Sequence, residues 1–127
     1  MKNKNLVGND PRGNNLPDLM GKIDLVGFEV LDAEEIDIVK RIVANYIRKM
    51  SNLGDYKEMR LALRQHEHGK TFKHEIDAFA IFSEGKFNAE VTDWNLYAAL
   101  SSVCEKIMSE LEHLSKKEQR HDKKIFK

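Results

Sequence analysis

A single cysteine, Cys104, excludes a disulfide framework and any zinc site built on four thiolates. No run of residues approaches the roughly 20 apolar positions that a membrane-crossing helix requires, and Met1-Lys2-Asn3-Lys4-Asn5 leads into no apolar signal segment. The expectation is a soluble, cytoplasmic protein with no membrane partner. A phosphate-cradling glycine loop is missing, as is the His-x-Glu and paired-Cys signature of zinc deaminases, and no His and acid stand at a spacing that suggests catalysis. The expectation is therefore of no enzyme, no small-molecule substrate, no cofactor and no bound metal.

Net charge is missing too, since 21 Lys and Arg balance 21 Asp and Glu. That zero combines unlike parts. Residues 1–21 hold 3 basic and 2 acidic side chains, residues 22–115 hold 12 and 17, and residues 116–127 hold 6 and 2. The central part is acidic and the tail basic, the reverse of a typical nucleic-acid binder with its positive charge on the fold. A chain of 127 residues suits one domain and is too short for two. Residues 1–21 are rich in Asn, Gly, Asp and Pro without an apolar period, which predicts a flexible leader. An ordered domain over 22–115 and a basic tail over 116–127 follow.

Within the domain the periods change in a fixed order. Ile23 and Leu25 alternate with Lys22 and Asp24 before Gly27, predicting a short strand with a bend. Asp32-Ala33-Glu34-Glu35 has the capping-box pattern, and Ile36, Val39, Val43, Tyr46, Ile47 and Met50 then form a helical stripe ending before Gly54. Met59, Leu61 and Leu63 alternate with Arg60, Ala62 and Arg64. A third strand runs from Phe72 to Phe82 with Ile76, Ala78 and Ala80 inward, and His66-Glu67-His68-Gly69-Lys70 reads as the loop before it. Ser83-Glu84-Gly85-Lys86 turns into a fourth strand, on which Phe87, Ala89 and Val91 alternate with Asn88, Glu90 and Thr92. Thr92 or Asp93 then caps a last helix over Asn95 to Leu114, striped by Leu96, Leu100, Val103, Ile107, Leu111 and Leu114. The predicted class is α+β: strand, helix, three strands, helix, in a four-stranded, mostly antiparallel sheet with both helices on one face, like a double-stranded-RNA-binding domain.

Arg60 and Arg64 share one strand face with His66 close behind, and with Lys73 on the next strand they are candidates to follow a phosphate backbone. Glu58, Glu75 and Asp77 are interleaved with them, as on an ordinary solvated face. The tail, beginning Lys116-Lys117, is the densest positive segment and a candidate for nonspecific RNA affinity. His66, Glu67 and His68, together with His74, invite a metal reading, but a polar hairpin loop explains them equally well and no third ligand has diagnostic spacing. Cys104 shares a helical face with Leu100, Ile107 and Leu111 and reads as a core residue. Trp94 and Tyr97 can stack on a base, yet such residues more often wedge a helix onto a sheet.

The junction from Thr92 to Leu100, with Tyr97-Ala98-Ala99-Leu100, resembles the Asp-Met-Tyr-x-Ala-Ile junction of the ribosome hibernation-promoting factors, also called protein Y. The similarity spans roughly Lys22 to Lys117. Gly85 and Ala89 fall on the family's last-hairpin Gly and strand Ala, and Asp93-Trp94, Leu96 and Glu112-His113 resemble the short archaeal members. The resemblance implies a factor that settles on the small ribosomal subunit, on 16S rRNA in the decoding region, and inhibits translation. It places Lys106 on a family lysine and His113 on a later basic position; Ser109 stands where bacterial members usually show Arg, and Val26 where many members have a basic residue. The expectation is of no counterpart to the C-terminal dimerisation domain of long members. The competing reading is a protein-protein adaptor of the same fold. One basic stripe through Arg60, Arg64, Lys106 and the tail favours RNA; scattered positives with an exposed apolar groove favour a protein partner.

Overall fold

The computed structural model describes the backbone of residues 22–125 and the side chains of residues 22–114. The predicted flexible leader lies outside the described residues. Strand β1 (Lys22–Val26) is followed by a 3-10 turn (Phe28–Val30) and helix α1 (Ala33–Ser51). Strands β2 (Tyr56–His68), β3 (Thr71–Phe82) and β4 (Gly85–Asp93) then lead into helix α2 (Leu96–Ile125). They form one four-stranded sheet in the order β1-β2-β3-β4.

β1 pairs parallel to β2, with Ile23 beside Met59 and Leu25 beside Leu61. A parallel neighbour needs a crossover, and α1 provides it. β2, β3 and β4 form an antiparallel meander in which Leu61 faces Ala78 and Ala78 faces Ala89. The inward residues Met59, Leu61, Leu63, Ile76, Ala78, Ala80 and Phe82 join Val39, Val43, Ile47 and Met50 of α1 in one core. Leu100, Val103, Ile107 and Leu111 of α2 enter that same core. Both helices therefore cover one face, as the alternation predicted, and the Tyr46 hydroxyl donates to Glu105 across them at 2.8 Å.

Local chemistry sets the element boundaries. Asp32 accepts from the Glu35 N–H at 2.8 Å while Glu35 accepts from the Asp32 N–H at 3.0 Å, the reciprocal bonds of a capping box. At α2 the capping residue is Asn95, whose Oδ1 accepts from the Ala98 N–H at 2.9 Å, and not Thr92 or Asp93. Asp93 instead accepts from the Asn95 N–H at 2.8 Å and fixes the turn that delivers it. The expected loop from His66 to Lys70 shrinks to Gly69-Lys70, because His68 pairs with Thr71 and Gly69 adopts φ +61°. A two-residue hairpin turn needs that positive φ, and the polar residues before it continue the strand. The α2 backbone continues past Leu114 to Ile125, through the basic segment that begins at Lys116-Lys117.

Candidate nucleic-acid interface

The sheet face away from the helices carries the side chains that alternate with the core. Across it Asp24 lies beside Arg60, Arg64 beside Glu75, and Asp77 beside Glu90. Each arginine already has an acidic partner. Arg60 Nε lies 3.8 Å from Asp24, and Arg64 Nη2 donates to both Glu75 and Asp77 at 2.9 Å. His66 Nε2 meets the other oxygen of Glu75 at 2.7 Å. Oxygens of Glu75, Asp77 and Glu90 gather within 4.8 Å of one another, and Asp77 Oδ1 has no hydrogen-bond partner among the described residues.

Glu75 and Glu90 are shifted in opposite directions. The hydrogen bond from His66, reinforced by Glu90 and Arg64, holds the Glu75 carboxyl at about 2. Glu90 is pushed above the ordinary carboxylate range by its hydrogen bond with Glu75 and by the negative charges of Asp77 and Glu75. A depressed carboxyl stabilises the fold above its unfolded value near 4.5 and loses that contribution as the pH falls toward about 2. Glu90 has the opposite sign, its contribution fading as pH rises through its raised value. Glu75→Gln is thus expected to flatten the acid limb of the stability–pH curve between about 4.5 and about 2. Equal acid-limb slopes in chemical denaturation of the variant and wild type would contradict this.

The seven candidate contacts do not form one stripe. Arg60, Arg64 and Lys73 occupy the open sheet face. Lys106, on α2, reaches over the outer edge of β4 and donates to the Glu90 carbonyl at 3.3 Å. His113 is exposed further along α2, and Lys116 and Lys117 lie on its backbone continuation. The acidic trio stands between Arg64 and Lys106. No alternation within a single strand signalled this trio, because Glu90 joins it only through the pairing of β4 with β3.

Trp94 departs from the expected helix wedge. Trp94 is 53% exposed, and it stands at the far end of the open face, in a T-shaped pair with His68 with ring centroids 5.3 Å apart. The Lys73 ammonium sits 5.0 Å from the centroid of its ring. Tyr97, by contrast, packs against the core. The three histidines go to separate neighbours, His66 to Glu75, His68 to Trp94 and His74 to Gln65.

Cys104 is fully buried, and desolvation, with Glu105 nearby, pushes its thiol up to about 12. A thiol so placed is a poor nucleophile. Cys104→Ser puts a hydroxyl among Leu100, Ile107 and Leu111 and is expected to cost about 1–3 kcal/mol. Rapid reaction of the native protein with Ellman's reagent would contradict the burial.

No family model matches the chain, and no curated protein matches it. Solved structures do. A ribosomal subunit interface protein from Coxiella burnetii superposes with a TM-score of 0.51 at 14% identity, over 72% of this chain and 94% of that one. The chain has the fold of a ribosomal subunit interface protein. The protein Y N-terminal domain of Thermus thermophilus gives a TM-score of 0.49 at 18% identity, over 72% of this chain and 93% of that one. The interface-protein fold agrees with the resemblance read at the Thr92 to Leu100 junction. Among the described residues no helix is long and apolar enough to cross a membrane.

Proposed function

We propose that the protein binds ribosomes, docking on 16S rRNA in the decoding region of the small subunit and inhibiting translation by occupancy. The observation that supports this is the fold likeness over 94% of a ribosomal subunit interface protein. Occupancy needs no chemical step, which suits a chain whose one thiol is buried and whose open face carries ion pairs.

Affinity then comes from local positives. Arg60 and Lys106 are exposed and hold their partners loosely, at 3.8 Å and 3.3 Å. Arg64 has to leave two carboxylates at 2.9 Å to meet a phosphate, so its net contribution is the smallest of the three. Lys73, His113, Lys116 and Lys117 complete the set. The double variant Arg60→Ala, Lys106→Ala is expected to reduce the slope of log affinity against log salt for small subunits by about two contacts. Arg64 stays in place in this test because removing it leaves only His66 against the three carboxylates of Glu75, Asp77 and Glu90. A slope unchanged from wild type would remove both residues from the interface. The division of positives between two faces favours the adaptor reading as the second choice, and absence of small-subunit binding by wild type would select it.

A further inference from the structure

The β2–β3 hairpin outruns its neighbours. β1 pairs with β2 only between Glu58 and Ala62, and β4 stops where Asp93 faces His74. Beyond these points the hairpin is a two-stranded arm turning at Gly69-Lys70. From His66 to His74 it carries two lysines, three histidines and one acid, in a domain that is acidic elsewhere. The acid, Glu67, pairs with Phe72 on the helix side, whereas His66 pairs with Lys73, and His68 with Thr71, on the open side. Trp94 stands at the foot of this open side, with Lys73 against its ring and His68 across it.

We propose that this corner is a stacking site for an unpaired RNA base, with Trp94 as the platform and Lys73 and Lys70 meeting the flanking phosphates. The inference deepens the ribosome reading and takes its ligand class from it. Stacking needs a ring that solvent can reach, and a nearby cation reinforces it: Trp94 is 53% exposed, and the Lys73 ammonium lies 5.0 Å from its ring centroid. A protein partner would seek a continuous apolar patch. The other exposed large apolar side chain of the arm, Phe72, lies on the opposite side, so the ring stands alone. Base stacking on an isolated aromatic is tolerant of sequence, because every base has a π face.

Trp94 is the only tryptophan, so the protein's intrinsic tryptophan fluorescence reports on this corner alone. Titration with uridine and adenosine RNA octamers at low salt is expected to quench it saturably, with the quenched complex dissociating as salt is added. Trp94→Ala should weaken octamer binding, read by anisotropy of a labelled octamer, roughly tenfold or more. Trp94→Phe, which keeps a ring, should retain most of the affinity, and Lys73→Ala should lower the salt slope by about one contact. Unchanged fluorescence at saturating octamer, or equal octamer affinity for wild type and Trp94→Ala, overturns the stacking site. Sedimentation of wild type with small subunits separates the two claims. Co-sedimentation without quenching overturns the stacking site and leaves the ribosome reading standing, whereas quenching without co-sedimentation supports the site and overturns that reading.

Discussion

Gly27→Ala is expected to destabilise the fold by roughly 3 kcal/mol or more, a fall in melting temperature of about 10 °C or beyond. Gly27 sits at φ +81° immediately after β1, in the left-handed region that a side chain disfavours. A Cβ added there would lie 2.4 Å from the backbone carbonyl oxygen of Leu63, on the strand beside it. No rotamer relieves a clash with backbone. The chain must either open the space between β1 and β2 or abandon the turn that drops Phe28 into the core, where it is 2% exposed. Thermal unfolding followed by circular dichroism checks this; a shift of a degree or two would show that the turn relaxes freely.

Leu100→Ala is expected to cost about 2–5 kcal/mol, and Trp94→Ala no more than about 1 kcal/mol. The two residues stand on either side of the start of α2 yet in opposite surroundings. Leu100 is fully buried between the helix and the sheet, so truncation leaves a cavity among Val103, Cys104 and Ile107. Trp94 is half-exposed, and its ring contacts with Lys73 and His68 lie at the surface. Paired denaturation curves measure both. Similar losses would mean that Trp94 wedges the helix onto the sheet after all and is not free to receive a ligand.

Much of this architecture was legible as periodicity. Met59, Leu61 and Leu63 alternating with Arg60 and Arg64 told inner from outer face, and the Asp32 to Glu35 pattern marked the start of α1. What the chain conceals is set by pairing between strands. Arg64 meets Glu75, and Glu90 joins the acidic trio, only through the register across β2, β3 and β4. The Asp93–Asn95 turn decides where Trp94 goes: moving the helix cap to Asn95 leaves Trp94 outside the first turn and on the open face. The polar run from His66 to His68 lacked the apolar alternation that marks a strand, and only the Gly69 turn and cross-strand bonds carry it on as one. Lys106 was placed by resemblance alone, and its reach over the edge of β4 follows from how α2 packs on the sheet.

The most direct measurement of the central claim is sedimentation of the purified protein with small ribosomal subunits across a salt series. The account predicts co-sedimentation at low ionic strength and steep release as salt rises toward and beyond about 0.1 M, where exposed charges are progressively screened. A protein that stays in the supernatant with small subunits at every salt concentration would contradict it.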